Sequence, residues 1–302
     1  MNTTAVNVAS RFAPDLKDST SPSRKFRDKI FLLGLWIATL VGVLTLFFLV
    51  LSTLLKGYTR IDLGLITGFP SPFPEDAGIQ SAIFGSLWVV VTSGVVSLFI
   101  ALCSAIYLEE FAKKESRFNR LVTLNIQTLA GVPSIVFGIL GLAFVARGWL
   151  GWGFTVGTAS AVLTMMVLPV MIVSSREALK AVPSSLREGA YALGATRWQT
   201  VSKQVLPSAI PGIATGSILG VSRALGESAP LILLGALAYV SSNPSGYTSD
   251  YTVLPLIIMK YVQEAQDEFR AVGAAAIIVL LLLLVGLNLL AIVIRDRSRK
   301  SW

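Results

Sequence analysis

Apolar blocks of about twenty residues recur along the chain, and short polar stretches separate them. A helix that crosses a bilayer needs about 20 consecutive, mostly apolar residues. Blocks of that kind cover residues 30–55, 81–108, 121–146, 157–175, 208–240 and 271–294. They predict an all-α integral membrane protein with six transmembrane helices. Pro133 interrupts the third block, which places its first part in the interface and starts the span near Gly131. The stretch VLPLIIMKYVQ, residues 253–263, is too short to cross and is expected at the outer surface. Residues 1–27 mix Ser, Thr, Pro and both charge signs, and read as a disordered tail ahead of a transmembrane domain over 28–300.

Composition supports this reading. Hydrophobic residues make up 54% of the chain and charged residues 14%, where a soluble domain carries roughly 25% charged. The chain has no histidine and a single cysteine, Cys103. That excludes imidazole chemistry, an internal disulfide and a Cys cluster for a metal. No Gly-x-x-x-x-Gly-Lys-Ser/Thr stretch occurs, so ATP hydrolysis of the P-loop kind is not expected here. The chain is accordingly expected to be no enzyme, with no metal or cofactor of its own. The 25 Lys and Arg residues are unevenly placed. The side that carries both termini holds 19, the opposite side five, and Arg223 lies within a span. Cytoplasmic loops carry such an excess, so both termini are expected in the cytoplasm. The basic pI then has a topological cause, and no nucleic-acid partner is implied.

The long loop between the fourth and fifth spans, residues 176–207, carries its own pattern. Ser185-x-x-Glu188 has the spacing of a capping box, which starts a short helix. Leu186, Ala190, Tyr191 and Leu193 give that helix an apolar stripe. Gly194 is placed to end it in the left-handed conformation. Thr196 can cap a second helix bearing Trp198, Val201 and Val205, and Pro207 and Pro211 pre-set entry into the next span. Two readings fit: a lid over the bundle, or a knob that docks in a groove of a cytoplasmic partner. The EEFAKK stretch, residues 109–114, is expected as a solvated helix end, and Tyr247 and Tyr251 as interfacial aromatics.

Within the fifth block, SRALGESAP places Arg223 and Glu227 four residues apart. On a continuous helix they share one face. A lone charge in hydrocarbon costs roughly 2.5–3.5 kcal/mol on insertion scales, so something must hold them. Gly226 and Pro230 weaken the backbone ladder there, and Ser217, Ser222 and Ser228 add hydroxyls. Transporters build central sites from broken helices of this kind. The pair is either an internal salt bridge that fixes packing or the lining and gate of a path for an anion, with Glu227 holding Arg223 when the solute is absent.

The loop resembles the cytoplasmic motif of permease subunits of ATP-binding-cassette importers: Glu-Ala-Ala, three residues, Gly, nine residues, Ile, one residue, Leu-Pro. Here Glu188, Gly189, Ala190, Gly194, Leu206 and Pro207 stand at that spacing. Gly189 replaces the usual Ala and Gln204 the usual Ile. Together with GVPSIVFGILGL (residues 131–142) and SRALGESAPLILLGA, the loop is similar to the phosphate-specific branch, most closely the second of its two permeases. The resemblance implies a type I importer architecture and import of phosphate through a path that uses Arg223 and Glu227. It implies that residues 176–207, Ser185 among them, couple to a separate ATP-binding-cassette ATPase dimer, which carries the ATP and Mg. It also implies a second homologous permease, an extracytoplasmic phosphate-binding protein, membrane lipid around the spans, and residence in the bacterial inner membrane. Molybdate or sulfate as the oxyanion, or an ion-driven transporter with Glu227 as a proton relay, are the competing expectations.

Overall fold

The computed structural model describes residues 22–113, 116–236 and 239–298. All regular structure among them is helical. The chain forms two units, residues 1–52 and 53–302. In the first, the described residues belong to one helix, α1 (Pro22–Gly57), whose side chains from Phe26 to Leu49 are all exposed. The expected disordered tail lies outside the described residues up to Ser21. From Pro22 onward the chain is already helical, so residues 22–27 are no part of such a tail.

The second unit is a helical bundle. After a short turn and α2 (Leu63–Thr67) come α3 (Gln80–Ile106), α4 (Arg117–Ala130), α5 (Ser134–Leu140), α6 (Val156–Lys180) and α7 (Ser184–Ala192). They are followed by α8 (Arg197–Thr200), α9 (Leu206–Gly226), α10 (Ala229–Leu233), α11 (Leu254–Gln263) and α12 (Glu268–Ser298). Helix α6 is the most enclosed span, packed on α3 and α9, with Val162, Leu163 and Val167 at its core. Small residues at the crossings permit that approach: Ala159 and Ser160 of α6 and Ser93 and Ser97 of α3 are buried.

The third block is a bent pair. Arg117–Ala130 and Ser134–Ala146 meet at 104°, because Pro133 cannot continue a helix. Whether the pair crosses is settled by its neighbours. At one end of the bundle Glu109, just past α3, lies 3.4 Å from Arg176 near the end of α6. At the other end Trp88 near the start of α3 packs on Tyr247, whose carbonyl accepts from Gly157 at the start of α6. Helices α3 and α6 are therefore parallel neighbours, and the chain between them must return across the bundle. The bent pair is that return, and the spans number six.

Two expectations change. The fifth span is a helix over Arg197–Gly226 that absorbs the second loop helix, and it ends 14 residues short of Val240. Helix α11, at 10 residues too short to cross, lies beside the start of α3, where Tyr261 donates to Gly78 O and Leu254 N–H to Ser86 Oγ, with Leu254, Leu256, Ile257 and Tyr261 buried against α12 and α3. Tyr251 is buried in the core rather than interfacial, while Tyr247 is exposed.

Candidate functional site

The site assembles where α9 stops. Helix α9 ends at Gly226, and Glu227 follows with extended backbone (φ −89°, ψ 119°). Arg223 and Glu227 therefore do not share a helical face, and no ion pair forms between them. The Glu227 carboxylate instead accepts a hydrogen bond from the Ser134 hydroxyl at 2.7 Å. Ser134 is the first residue of α5, so the anion also meets the electropositive end of that helix. Arg223 lies in the last turn of α9, where a cation meets the electronegative end. It is exposed, and no carboxylate among the described residues pairs with it.

Backbone proximity fixes this arrangement. A Cβ on Gly138 would lie 2.7 Å from Pro230 Cα, so only glycine lets α5 approach α10 this closely. That contact holds the chain just after Glu227 against the helix that carries Ser134. One residue before Arg223, the Ser222 hydroxyl lies 2.8 Å from Ile218 O and 2.6 Å from the Asn288 side-chain amide, with one proton to share between them. Two polar contacts thus flank exposed Arg223 in sequence: Glu227 with Ser134 and Ser222 with Asn288. Ser134 and Asn288 are the partners sequence reasoning missed. Asn288 is the one uncharged polar side chain of the apolar block 271–294, and that isolation is the signal that could have found it.

The cytoplasmic loop keeps part of its expected form. Gly194 has φ +82° and ends α7 as expected. Thr196 and Gln199 form a reciprocal capping box at the start of α8. Ser185 is no cap. Pro183 occupies the cap position and Ser184 is already helical, which puts Ser185 inside the first turn. Glu188 and Gly189 are exposed and Ala190 is half-buried; Leu206 is half-buried and Pro207 exposed at the start of α9. The loop presents apolar side chains to solvent: Leu186, Tyr191, Trp198 and, at 90% exposure, Leu193.

Of EEFAKK, Glu109 and Glu110 are enclosed rather than solvated, Lys113 is exposed, and Lys114 lies outside the described residues. Tyr107–Phe111 forms a π-helical turn, in which Glu110 is buried. Glu110 pairs with Arg187 of α7 at 2.6 Å, and Glu109 faces Arg176. Arg176 also donates to Thr123 of α4 at 3.0 Å. Phe111 lies beside Trp198 and under the guanidinium of Arg197.

With this geometry in place, likeness to known proteins is informative. The sequence model of the binding-protein-dependent transport system inner membrane component matches residues 97–300. The chain belongs to that family. It is 31% identical over 281 residues to the phosphate transport system permease protein PstA of Mycobacterium leprae, covering 89% of this chain and 88% of that one. It is 29% identical over 284 residues to PstA of Yersinia pestis, covering 91% and 92%. Among solved structures, a bacterial importer of the acidic polysaccharide alginate superposes with a TM-score of 0.64 at 17% identity, over 91% of this chain and 98% of that one. The permease is thus a multi-pass importer subunit with type I architecture and phosphate-permease homologues, and the expected fold class stands.

Proposed function

We propose that this permease passes inorganic phosphate inward through a path that Arg223 lines, driven by ATP and Mg on a separate ATPase dimer that docks on residues 176–207. The observation that carries the reading is the state of Arg223. A guanidinium exposed in the membrane-spanning part of the chain, with the Glu227 carboxylate taken by Ser134, is costly in lipid. It is accommodated where it faces an aqueous path or a second permease. There it offers an oxyanion a planar, bidentate donor set. The phosphate-transport relatives at about 30% identity support the choice of oxyanion. The exposed apolar knob of Leu186, Tyr191, Leu193 and Trp198 suits a groove on the ATPase. A second homologous permease and an extracytoplasmic phosphate-binding protein complete the assembly in the bacterial inner membrane.

The test is reconstitution. Co-purified with its ATPase and second permease, and supplied with the binding protein, the wild type should accumulate labelled phosphate in vesicles only with ATP. Arg223→Gln should assemble equally and lose uptake by about tenfold or more, the scale of a lost hydrogen bond to a charged group. Accumulation of molybdate or sulfate in place of phosphate would transfer the reading to another oxyanion. Uptake that survives ATP depletion but collapses with an uncoupler would replace it with an ion-driven transporter.

A further inference from the structure

Arg187 is tied to three separate pieces of the protein. Its Nη2 donates to Glu110 Oε1 at 2.6 Å and to Leu179 O at 2.9 Å. Its Nη1 donates to Val182 O at 2.8 Å, and its Nε points at Glu110 Oε2 at 3.4 Å. Four of the five N–H groups that a guanidinium carries are therefore engaged. Leu179 and Val182 belong to the end of α6 and the turn after it, Arg187 to α7, and Glu110 to the π turn that extends α3. The Glu110 side chain is 7% exposed and that of Arg187 20%. Beside it, Glu109 and Arg176 form a second enclosed pair that reaches α4 through Thr123.

Ion pairs that are removed from water contribute little net stability, and a well-packed apolar pair often replaces them without loss. What they supply is a fixed geometry. π turns are also rare and concentrate at functional sites; this one carries both carboxylates. Apart from this pair, α7 packs on the π turn Val201–Val205 and on α8, while Leu186 and Tyr191 stay exposed, so Arg187 is its link to the π turn that extends α3.

We propose that Arg187 and Glu110 form a rigid clamp through which displacement of α7 moves α3 and α6 as one body, so that Glu110 and Arg187 are positioning residues of transport. The proposal rests on the reading that the ATPase docks on this loop. In it α3, which has no sequence connection to the loop, is driven directly rather than only through the turn at Ala181–Pro183.

The test uses the full complex in vesicles, with Cys103→Ser and spin labels on Lys113→Cys and Ala192→Cys, both exposed sites outside the clamp. With the clamp intact, the label distance should be the same without nucleotide and with ATP trapped; a distance that shifts on ATP overturns the proposal. Glu110→Gln should broaden that distance and raise ATP hydrolysed per phosphate accumulated by about tenfold or more. The double variant Glu110→Leu with Arg187→Met removes both charges, so a merely structural pair would be rescued by it. Under the clamp it assembles and hydrolyses ATP but stays uncoupled, and wild-type coupling in it overturns the proposal. If the wild type moves no phosphate, the substrate reading fails alone, because the distance measurement needs only ATP and still decides.

Discussion

Glu227 and Arg223 are stabilised separately, each at a helix end of opposite sign, and that separation makes their roles distinguishable. Hydrogen bonds to a charged group are worth about 1.5–3 kcal/mol, so Ser134→Ala should destabilise the permease by that amount. Glu227→Gln retains an acceptor for Ser134 and loses the charge. It should leave assembly and melting temperature nearly unchanged and alter transport. Paired melts of Ser134→Ala, Glu227→Ala, which removes the acceptor, and the double variant measure the coupling: a non-additive term near the Ser134→Ala value is expected, and additivity would disconnect the residues. Failure of Glu227→Gln to assemble would make the carboxylate a packing element. The charges themselves are legible in the sequence, since an Arg and a Glu in an apolar block stand out. Their partners are not. The four-residue spacing implies a shared face only while the helix continues, and the break at Gly226 turns Glu227 away. Its true partner lies 93 residues earlier in sequence, on a helix start that Pro133 creates.

Local rules succeed at the scale of elements wherever the deciding chemistry is itself local. Gly194 needs a left-handed backbone, and Thr196 with Gln199 needs only its own turn. The Ser185 cap fails because Pro183, with its fixed φ, sets the helix start two residues too early. The fifth span extends back to Arg197 because a π turn over Val201–Val205 precedes Pro207. Leu206 N–H reaches back to Val201 O there, and this rewinding accommodates a proline that would otherwise end the helix. Two substitutions test the loop. A Cβ on Gly189 meets nothing within 4 Å, so Gly189→Ala should firm α7 by up to about 1 kcal/mol, seen as slower hydrogen exchange over 184–192. At Gly194, φ is +82°, and a β-branched residue pays about 1–2 kcal/mol in that region. Gly194→Val should therefore misdirect α7 and leave ATP hydrolysis running with uptake depressed. Normal coupling in that variant would remove the loop from the transmission path.

The six-span reading of the whole molecule depends on parity rather than on length. Ser134–Ala146 is only 13 residues, about 20 Å of helix, and by length alone it reads as re-entrant. The parallel run of α3 and α6 overrides this, because a chain that leaves one helix at the Glu109 end must reach the opposite end before starting α6. The basic residues then orient the bundle: Lys113, Arg176 and Arg187 cluster at the end with the loop, which the positive-inside rule assigns to the cytoplasm. Single cysteines in a Cys103→Ser background convert this into a labelling pattern. Trp149→Cys, at a position 98% exposed, and Asp250→Cys should react with an impermeant maleimide in intact cells. Lys113→Cys and Ala192→Cys should react only in inside-out vesicles. If positions 113 and 149 label from the same side, the bent pair dips into the membrane and returns. Five spans then remain, and α3 and α6 cannot both cross as described. If all four positions report the reverse sides, the six spans survive but the loop faces outward, beyond reach of any cytoplasmic ATPase.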